Sequence, residues 1–424
     1  MNIVLGVIVG FVILMLLVVI HEYGHFRAAR KNGVEVEEFG IGFPPRAKGW
    51  LRNPDYEKQL AEWKKSGKNG AKPVKWLKLE KSEWGKKQKS LIFSINWLPI
   101  GGFCSMKGES DSDKRPHSFG AASLWAKTKI LFAGVAMNWL AAFVILTVLA
   151  WTGMPTFMEN QFHMPGDSYE NVAHIVISSV IEGSPADISG LKAGDYIIRA
   201  GDTEIKSTSD VFSYNEAHAE DEAVYVVSRA KSATDKDDRE ELTISAKLNS
   251  SDAEYLLGIR IHEDSLPTTR ATWSAPIVAA VNTVQLTGET FRGLGTMVAS
   301  LGSGIVKQFS ADDNVRSQGA SELKTVGDSV SGPVGIIGIL FPASLESGPT
   351  TLAFLAALIS VSLACMNVLP IPALDGGRFV LIALFRLRRK TLTREMEEKI
   401  VARTFVFLLI LIAIVTVLDI TRFF

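Results

Sequence analysis

The sequence predicts a multi-pass α-helical membrane protein: four transmembrane helices, strand-forming segments between the first two, and a β-rich domain inserted between the second and third. Three observations predict it. Mean hydropathy is +0.18 although 21% of the 424 residues are charged, so the apolar residues are gathered in blocks. Four apolar blocks are present, at residues 3–20, about 130–151, about 352–369 and about 405–418. The segments between them alternate in the sign of their charge. This apolar content excludes disorder for most of the chain. The balance of 45 Lys+Arg against 45 Asp+Glu speaks against a nucleic-acid partner. Two cysteines, Cys104 and Cys365, cannot build a disulfide framework and read as buried thiols.

The first block, residues 3–20, is unbroken except for glycines. Its length is at the lower end for a spanning helix. A secretory signal fits less well, because no Lys or Arg precedes the run and no small-residue cleavage site follows it. The second block has one strongly polar residue, Asn138. Residues 271–308 and 334–341 are apolar but rich in Gly, Ser and Thr, and read as interfacial or amphipathic rather than spanning. Residues 36–43 and 91–97 read as strands. The Lys-rich stretch 53–89, with Trp63, Trp76 and Trp84, either lies on the inner membrane surface or is a solvated linker with a few packed aromatics.

Charge sets the orientation. Residues 31–120 hold 18 Lys+Arg against 11 Asp+Glu, residues 153–348 hold 14 against 28, and residues 376–404 hold 8 against 3. Basic connections stay cytoplasmic, so the long acidic segment is outside, and both termini are extracytoplasmic.

The chemistry-bearing motif closes the first block: His21-Glu22-Tyr23-Gly24-His25. Imidazoles at i and i+4 share one helical face and can hold one zinc ion, with the intervening Glu22 as base. His21 lies roughly 27 Å along the helix from Ile3, at about 1.5 Å per residue, which is close to the cytoplasmic face. Catalytic zinc takes three protein ligands. Glu35, Glu37 and Glu38 follow soonest, in a loop or strand. Asp375, at the cytoplasmic end of the third block and beyond Pro370 and Pro372, lies at the same membrane level as the two histidines. Taken alone, Asp375 before Gly376-Gly377 is also a good turn residue.

Together, the motif at 21–25 and the stretch 367–378 (NVLPIPALDGGR) resemble the site-2 protease family of intramembrane zinc metalloproteases, in its bacterial regulator-of-sigma-E protease-like branch. Residues 39–46 and 95–109 resemble that branch's membrane-reentrant β-structure, and residues 133–139 and 331–336 match further motifs. Val135 stands where the family pattern has Pro, implying a straighter helix. The resemblance implies zinc held by His21, His25 and Asp375, with Glu22 as catalytic base. It implies that Asn367 holds substrate backbone or supports the oxyanion. Gly101, Gly102, Phe103 and Cys104 would offer a strand edge to an unwound substrate, with Asn138 in support. Read alone, Gly101-Gly102 is equally a simple turn. Residues 180–186 and 190–198 resemble a PDZ domain, a module that takes an extracytoplasmic peptide or C-terminus by strand addition. The charged run 231–241 reads as an exposed hairpin loop.

The layout is then residues 1–30, first helix with the His motif; 31–120, cytoplasmic segment with reentrant β-structure; 121–152, second helix; 170–265, PDZ-like domain; 266–348, amphipathic extracytoplasmic segment; 349–378, third helix with the Leu-Asp-Gly motif; and 379–424, basic loop and fourth helix. The implied function is cleavage of single-span membrane proteins, anti-sigma factors or remnant signal peptides, in the lipid of a bacterial inner membrane. A catalytically inert PDZ-bearing scaffold and a metal-dependent transporter are the alternatives.

Overall fold

The computed structural model describes residues 2–66, 68, 71–79, 90–158, 160–171, 174–231, 238–263, 268–310, 312–329 and 332–423. Trp84, Ser331 and residues 232–237 of the charged run lie outside them. The chain divides into two compact units, residues 1–149 with 276–424, and residues 150–275.

In the first unit, α1 (Asn2–Lys31) carries the opening apolar run without a break. Two long strands follow, β1 (Val36–Arg52) and β3 (Ile92–Met106), with α2 (Tyr56–Lys65) and the short β2 (Trp76–Lys78) between them. β1 and β3 pair twice over. Phe39 stands opposite both Phe93 and Cys104, and Ile41 opposite both Ile95 and Gly102. The first half of β1 therefore lies between the two halves of β3, and the second half of β1 continues the sheet to β2. Among the described residues, Gly102–Ser105 pair only with β1, which leaves their other side as an edge.

Further helices are α3 (Leu124–Thr152), α6 (Ala275–Gln308) and α7 (Asp313–Ser329). A short helical segment comes next: α8 (Pro333–Gly335), a π-helical turn at Ile336–Leu340 and α9 (Phe341–Glu346). The unit ends with α10 (Pro349–Val368), α11 (Asp375–Leu387) and α12 (Arg394–Phe423). Four of these helices, α1, α3, α10 and α12, are long and apolar enough to cross a membrane. α6 is long but is not among them. The segment 333–346 packs against the N-terminal half of α1. A Cβ on Gly6 would stand 2.5 Å from Pro342 Cα, and one on Gly10 would stand 2.6 Å from Phe341, so the two glycines make the groove in which these rings sit. Phe341 is fully buried there with Leu17 and Ile359. Asp419 of α12 accepts the N–H groups of Gly332 at 3.1 Å and Gly335 at 2.8 Å and so caps this segment.

One apolar core ties together the elements around the histidine motif: Phe26 and Ala29 of α1, Phe39, Cys104 and Met106 of the sheet, Ile130 and Leu131 of α3, and Leu381 and Ile382 of α11.

The second unit is β-rich. Its main sheet has the order β10 (Arg239–Lys247), β9 (Glu222–Ala230), β7 (Tyr196–Ala200), β6 (Ile175–Val180), β11 (Ile259–Glu263), with β8 (Thr203–Glu204) on β7. Two short helices, α4 (Pro185–Ser189) and α5 (Thr208–Ala217), join it. Ser184 caps α4, and Gly190 ends it at φ +86°, where a side chain would be strained. Buried Asp195 accepts from Arg229 at 2.6 and 2.7 Å, locking the 190–198 turn onto β9. A small second sheet joins β4 (Met154–Pro155), β12 (Thr268–Arg270) and β5 (Tyr169–Asn171).

Candidate metal centre

His21 and His25 lie one turn apart near the end of α1, both buried. α1 meets α3 closely here because both present small residues. A Cβ on Gly24 would stand 2.3 Å from the Ala133 carbonyl oxygen. The His21 and His25 Nε2 atoms are 3.0 Å apart. Asp375 Oδ2 lies 3.0 Å from the first and 3.3 Å from the second. Tetrahedral ligand atoms about 2.0–2.1 Å from one zinc ion stand about 3.3 Å from one another, so this triangle of two nitrogens and one oxygen has the size zinc requires. A ligand atom of Glu22 falls within 4.8 Å of those of both histidines.

Asp375 reaches this point from far along the chain. α10 stops at Val368, and residues 369–374 form tight turns, with Ile371 N–H donating to Leu369 O and Leu374 N–H to Ile371 O, each at 2.8 Å. The Leu-Asp-Gly sequence thus opens a separate helix rather than ending the third apolar one. Two prolines make this break: Pro370 and Pro372 supply no N–H to continue α10. Gly376 and Gly377 then fold α11 back against the break. A Cβ on either would stand about 2 Å from backbone atoms of Val368 or Ile371. Asp375 is the first residue of α11, where the helix dipole favours its charge.

Hydrogen bonds also set the imidazoles. His25 Nδ1–H donates to Ile130 O at 2.8 Å, which leaves the Nε2 lone pair free. Asn138 Nδ2 lies 3.3 Å from His21 Nδ1, while its buried Oδ1 has no partner. Turning that amide over brings Oδ1 to His21 Nδ1. Oδ1 then accepts from His21 Nδ1–H, and His21 Nε2 also keeps its lone pair. Ser360 of α10 donates to Asn138 O at 2.8 Å and so fixes α3 to α10 beside the site.

Gly134 of α3 leaves a hollow at the triangle. A Cβ there would stand 2.6 Å from His21 Nε2 and 2.7 Å from His25 Nε2. The position was not singled out from the sequence; its signal is a glycine four residues before Asn138. Gly134→Ala is expected to weaken zinc binding by at least about 10–100-fold, the loss typical of disturbing a ligand's support, measured by competition with a chelator. Unchanged affinity would show that the hollow is not needed for the metal.

β3 passes on the other side of Glu22. A Cβ on Gly102 would stand 3.3 Å from Val19 and 3.8 Å from Glu22 Cγ, so glycine lets the strand lie close to α1. Cys104 is buried in this strand. Burial, reinforced by the charges of Glu22 and Glu109, pushes its thiol well above the usual range and keeps it protonated. Asn367 lies in the last turn of α10, with its carbonyl oxygen against Gly376. A cavity of about 670 Å³, lined by Asp375, Arg378, Glu109, Ser110 and Glu397, opens beside the aspartate.

Residues 9–55 and 77–412 match peptidase family M50. The chain belongs to that family. The site-2 protease resemblance is therefore borne out over most of the sequence. Relatives cover almost the whole M50 chain. The regulator of sigma-W protease RasP of Bacillus subtilis is 26% identical over 463 residues, 98% of this chain and 99% of its own. The zinc metalloprotease RasP of Bacillus licheniformis is 25% identical over 468 residues, 99% of this chain and all of its own. A Clostridium perfringens relative, likewise named for zinc metalloprotease activity, is 28% identical over 406 residues, 95% of each chain. This M50 protein is a membrane-embedded zinc metalloendopeptidase of the site-2 type. Its metal is zinc, and the buried two-nitrogen, one-oxygen donor set suits that ion.

Proposed function

We propose that His21, His25 and Asp375 hold the zinc and that Glu22 is the catalytic base, in an enzyme that cuts the membrane-spanning segments of other proteins. The observation that carries this reading is the convergence of three donor atoms, from helices at opposite ends of the chain, within 3.3 Å of one another. Bound zinc supplies Lewis-acid chemistry, polarising a carbonyl and acidifying water. Glu22 takes the proton from the attacking water and delivers it to the leaving amine. His25, fixed by Ile130, and His21, fixed by Asn138, would each have an Nε2 lone pair free to hold the ion. Asn367 binds substrate backbone or supports the oxyanion. The cavity beside Asp375 admits water to a site otherwise walled by apolar helices.

A helical substrate has its amides paired within itself and must unwind before it is cut. The edge at Gly101, Gly102, Phe103 and Cys104 takes up the freed amides by strand pairing. The far turn of this sheet exposes Phe43, Trp97 and Leu98, which supports its dipping into lipid as a reentrant element. The second unit, within residues 170–265, reads as a PDZ-like domain. An extended peptide or C-terminus adds to the outer strand β11 beside α5, and the domain filters substrates already trimmed outside. The charge pattern supports that domain lying outside the cytoplasm and residues 31–120 and 376–404 inside, with both termini outside, in a multi-pass arrangement in the inner membrane. The layout by segments given above is kept, except that the third apolar helix ends at Val368 and the Leu-Asp-Gly motif opens α11. Substrates are single-span membrane proteins such as anti-sigma factors, in keeping with the sigma-W regulator among the relatives, or remnant signal peptides.

The test is a reconstitution. The protein in lipid vesicles with a model single-span protein is expected to yield fragments whose new ends fall within the span, near its cytoplasmic end. Removing zinc with a chelator stops the cleavage, and adding zinc restores it. Cuts confined to the aqueous loops of the substrate would overturn the reading.

A further inference from the structure

Arg378 follows Asp375 by three residues, in the first turn of α11. Its Nε donates to Glu397 Oε1 at 3.2 Å, and its Nη2 donates to Glu109 O at 2.5 Å. The guanidinium also lies 5.0 Å from the ring centre of fully buried Phe119. Glu397 is only 5% exposed, near the start of α12. Its second oxygen accepts from Ser110 Oγ and from Asp111 N–H, both at 3.1 Å. Asp111 in turn pairs with Lys127 of α3, which is itself fully buried. Four pieces of chain therefore meet in one polar network beside Asp375: the first turn of α11, the loop after β3, the start of α3 and the start of α12.

A buried ion pair is rarely retained for stability alone, since an apolar contact of similar shape does as well. Its directed bonds do something an apolar contact cannot: they fix the rotation and height of α11. That matters here because Asp375 Oδ2 must stay within 3.3 Å of two nitrogens on another helix. We propose that Arg378 and Glu397 are positioning residues that couple the fourth apolar helix, α12, to the metal-facing carboxylate of Asp375. A tilt or slide of α12 then reaches the donor triangle through Glu397 and Arg378. This rests on the reading of Asp375 as a zinc ligand.

The test uses the full-length protein and reads zinc affinity by chelator competition, alongside kcat and KM for a model membrane substrate. Glu397→Gln and Arg378→Gln are each expected to weaken zinc binding about 10–100-fold, as loss of a group that orients a ligand does. kcat should fall with KM little changed. Arg378→Lys, which keeps the charge but not the fork, should recover part of the loss. The double variant should fall no further than the worse single one, because the two act through one another. Glu398→Gln, which breaks the neighbouring exposed pair with Arg394, should change neither readout. If Glu397→Gln does not fold, the Arg378 pair carries the test. Zinc affinity unchanged in the Arg378 and Glu397 variants, while Asp375→Ala loses its metal, overturns the coupling. An equal loss in Glu398→Gln overturns it too. Asp375→Ala keeping its zinc overturns the ligand reading instead.

Discussion

Glu22→Gln is expected to lower cleavage of a membrane substrate by about a hundred- to ten-thousand-fold, the range for losing a positioned acid–base group. Zinc content is expected to stay at its original level. The side chain keeps its size and its place between His21 and His25 but loses the ability to accept a proton at neutral pH. The three proposed donor atoms, on His21, His25 and Asp375, are untouched. Elemental analysis of the purified variant beside a timed cleavage assay separates the two effects. Full activity would remove Glu22 as base. Loss of zinc together with activity would mean that Glu22 also acts in holding the metal. Because substrate binding should survive, the same variant can trap substrates in membranes and allow them to be identified.

Asp375→Ala is the second large effect. It removes one corner of the donor triangle and leaves two imidazoles with no third protein ligand. Zinc affinity is expected to fall by more than the roughly 10–100-fold that follows loss of a residue supporting a ligand, and cleavage should vanish with it. The fold should persist. Asp375 begins α11, and losing a favourable charge at a helix start costs only about 0.3–1 kcal/mol at an exposed site, somewhat more where partly buried. The packing of Leu381 and Ile382 remains. Zinc stoichiometry and the thermal unfolding midpoint of the metal-free protein check both halves. An unaltered zinc content would exclude Asp375 as a ligand.

Much of this was legible in the sequence. The apolar blocks fixed four helices because hydropathy over some twenty residues needs no tertiary information. His21 and His25 declared a shared face by their spacing alone. Asp375 could be matched to them only through topology, by counting crossings until two distant segments reached one membrane level. What stayed hidden depends on close approach. Nothing in the sequence says that Gly134 faces two imidazoles, or that Gly6 and Gly10 receive Pro342 and Phe341. The stretch 334–341 reads as interfacial because, though apolar, it is too short to span. It is held instead in the groove of α1 and by a cap from Asp419, neither of which is local. Arg378 and Glu397 look like ordinary surface charges until the fold pairs them and buries Glu397.

The distance along the chain between His21 and Asp375 also has a meaning in time. The two are 354 residues apart. At a synthesis rate of about 5–20 residues per second, roughly 20–70 s separate their emergence from the ribosome. Throughout that interval the growing chain holds the histidine pair and the glutamate but lacks the aspartate that completes the triangle. A nascent protease thus passes most of its own synthesis, in a membrane crowded with other newly inserted helices, before its cutting centre is whole.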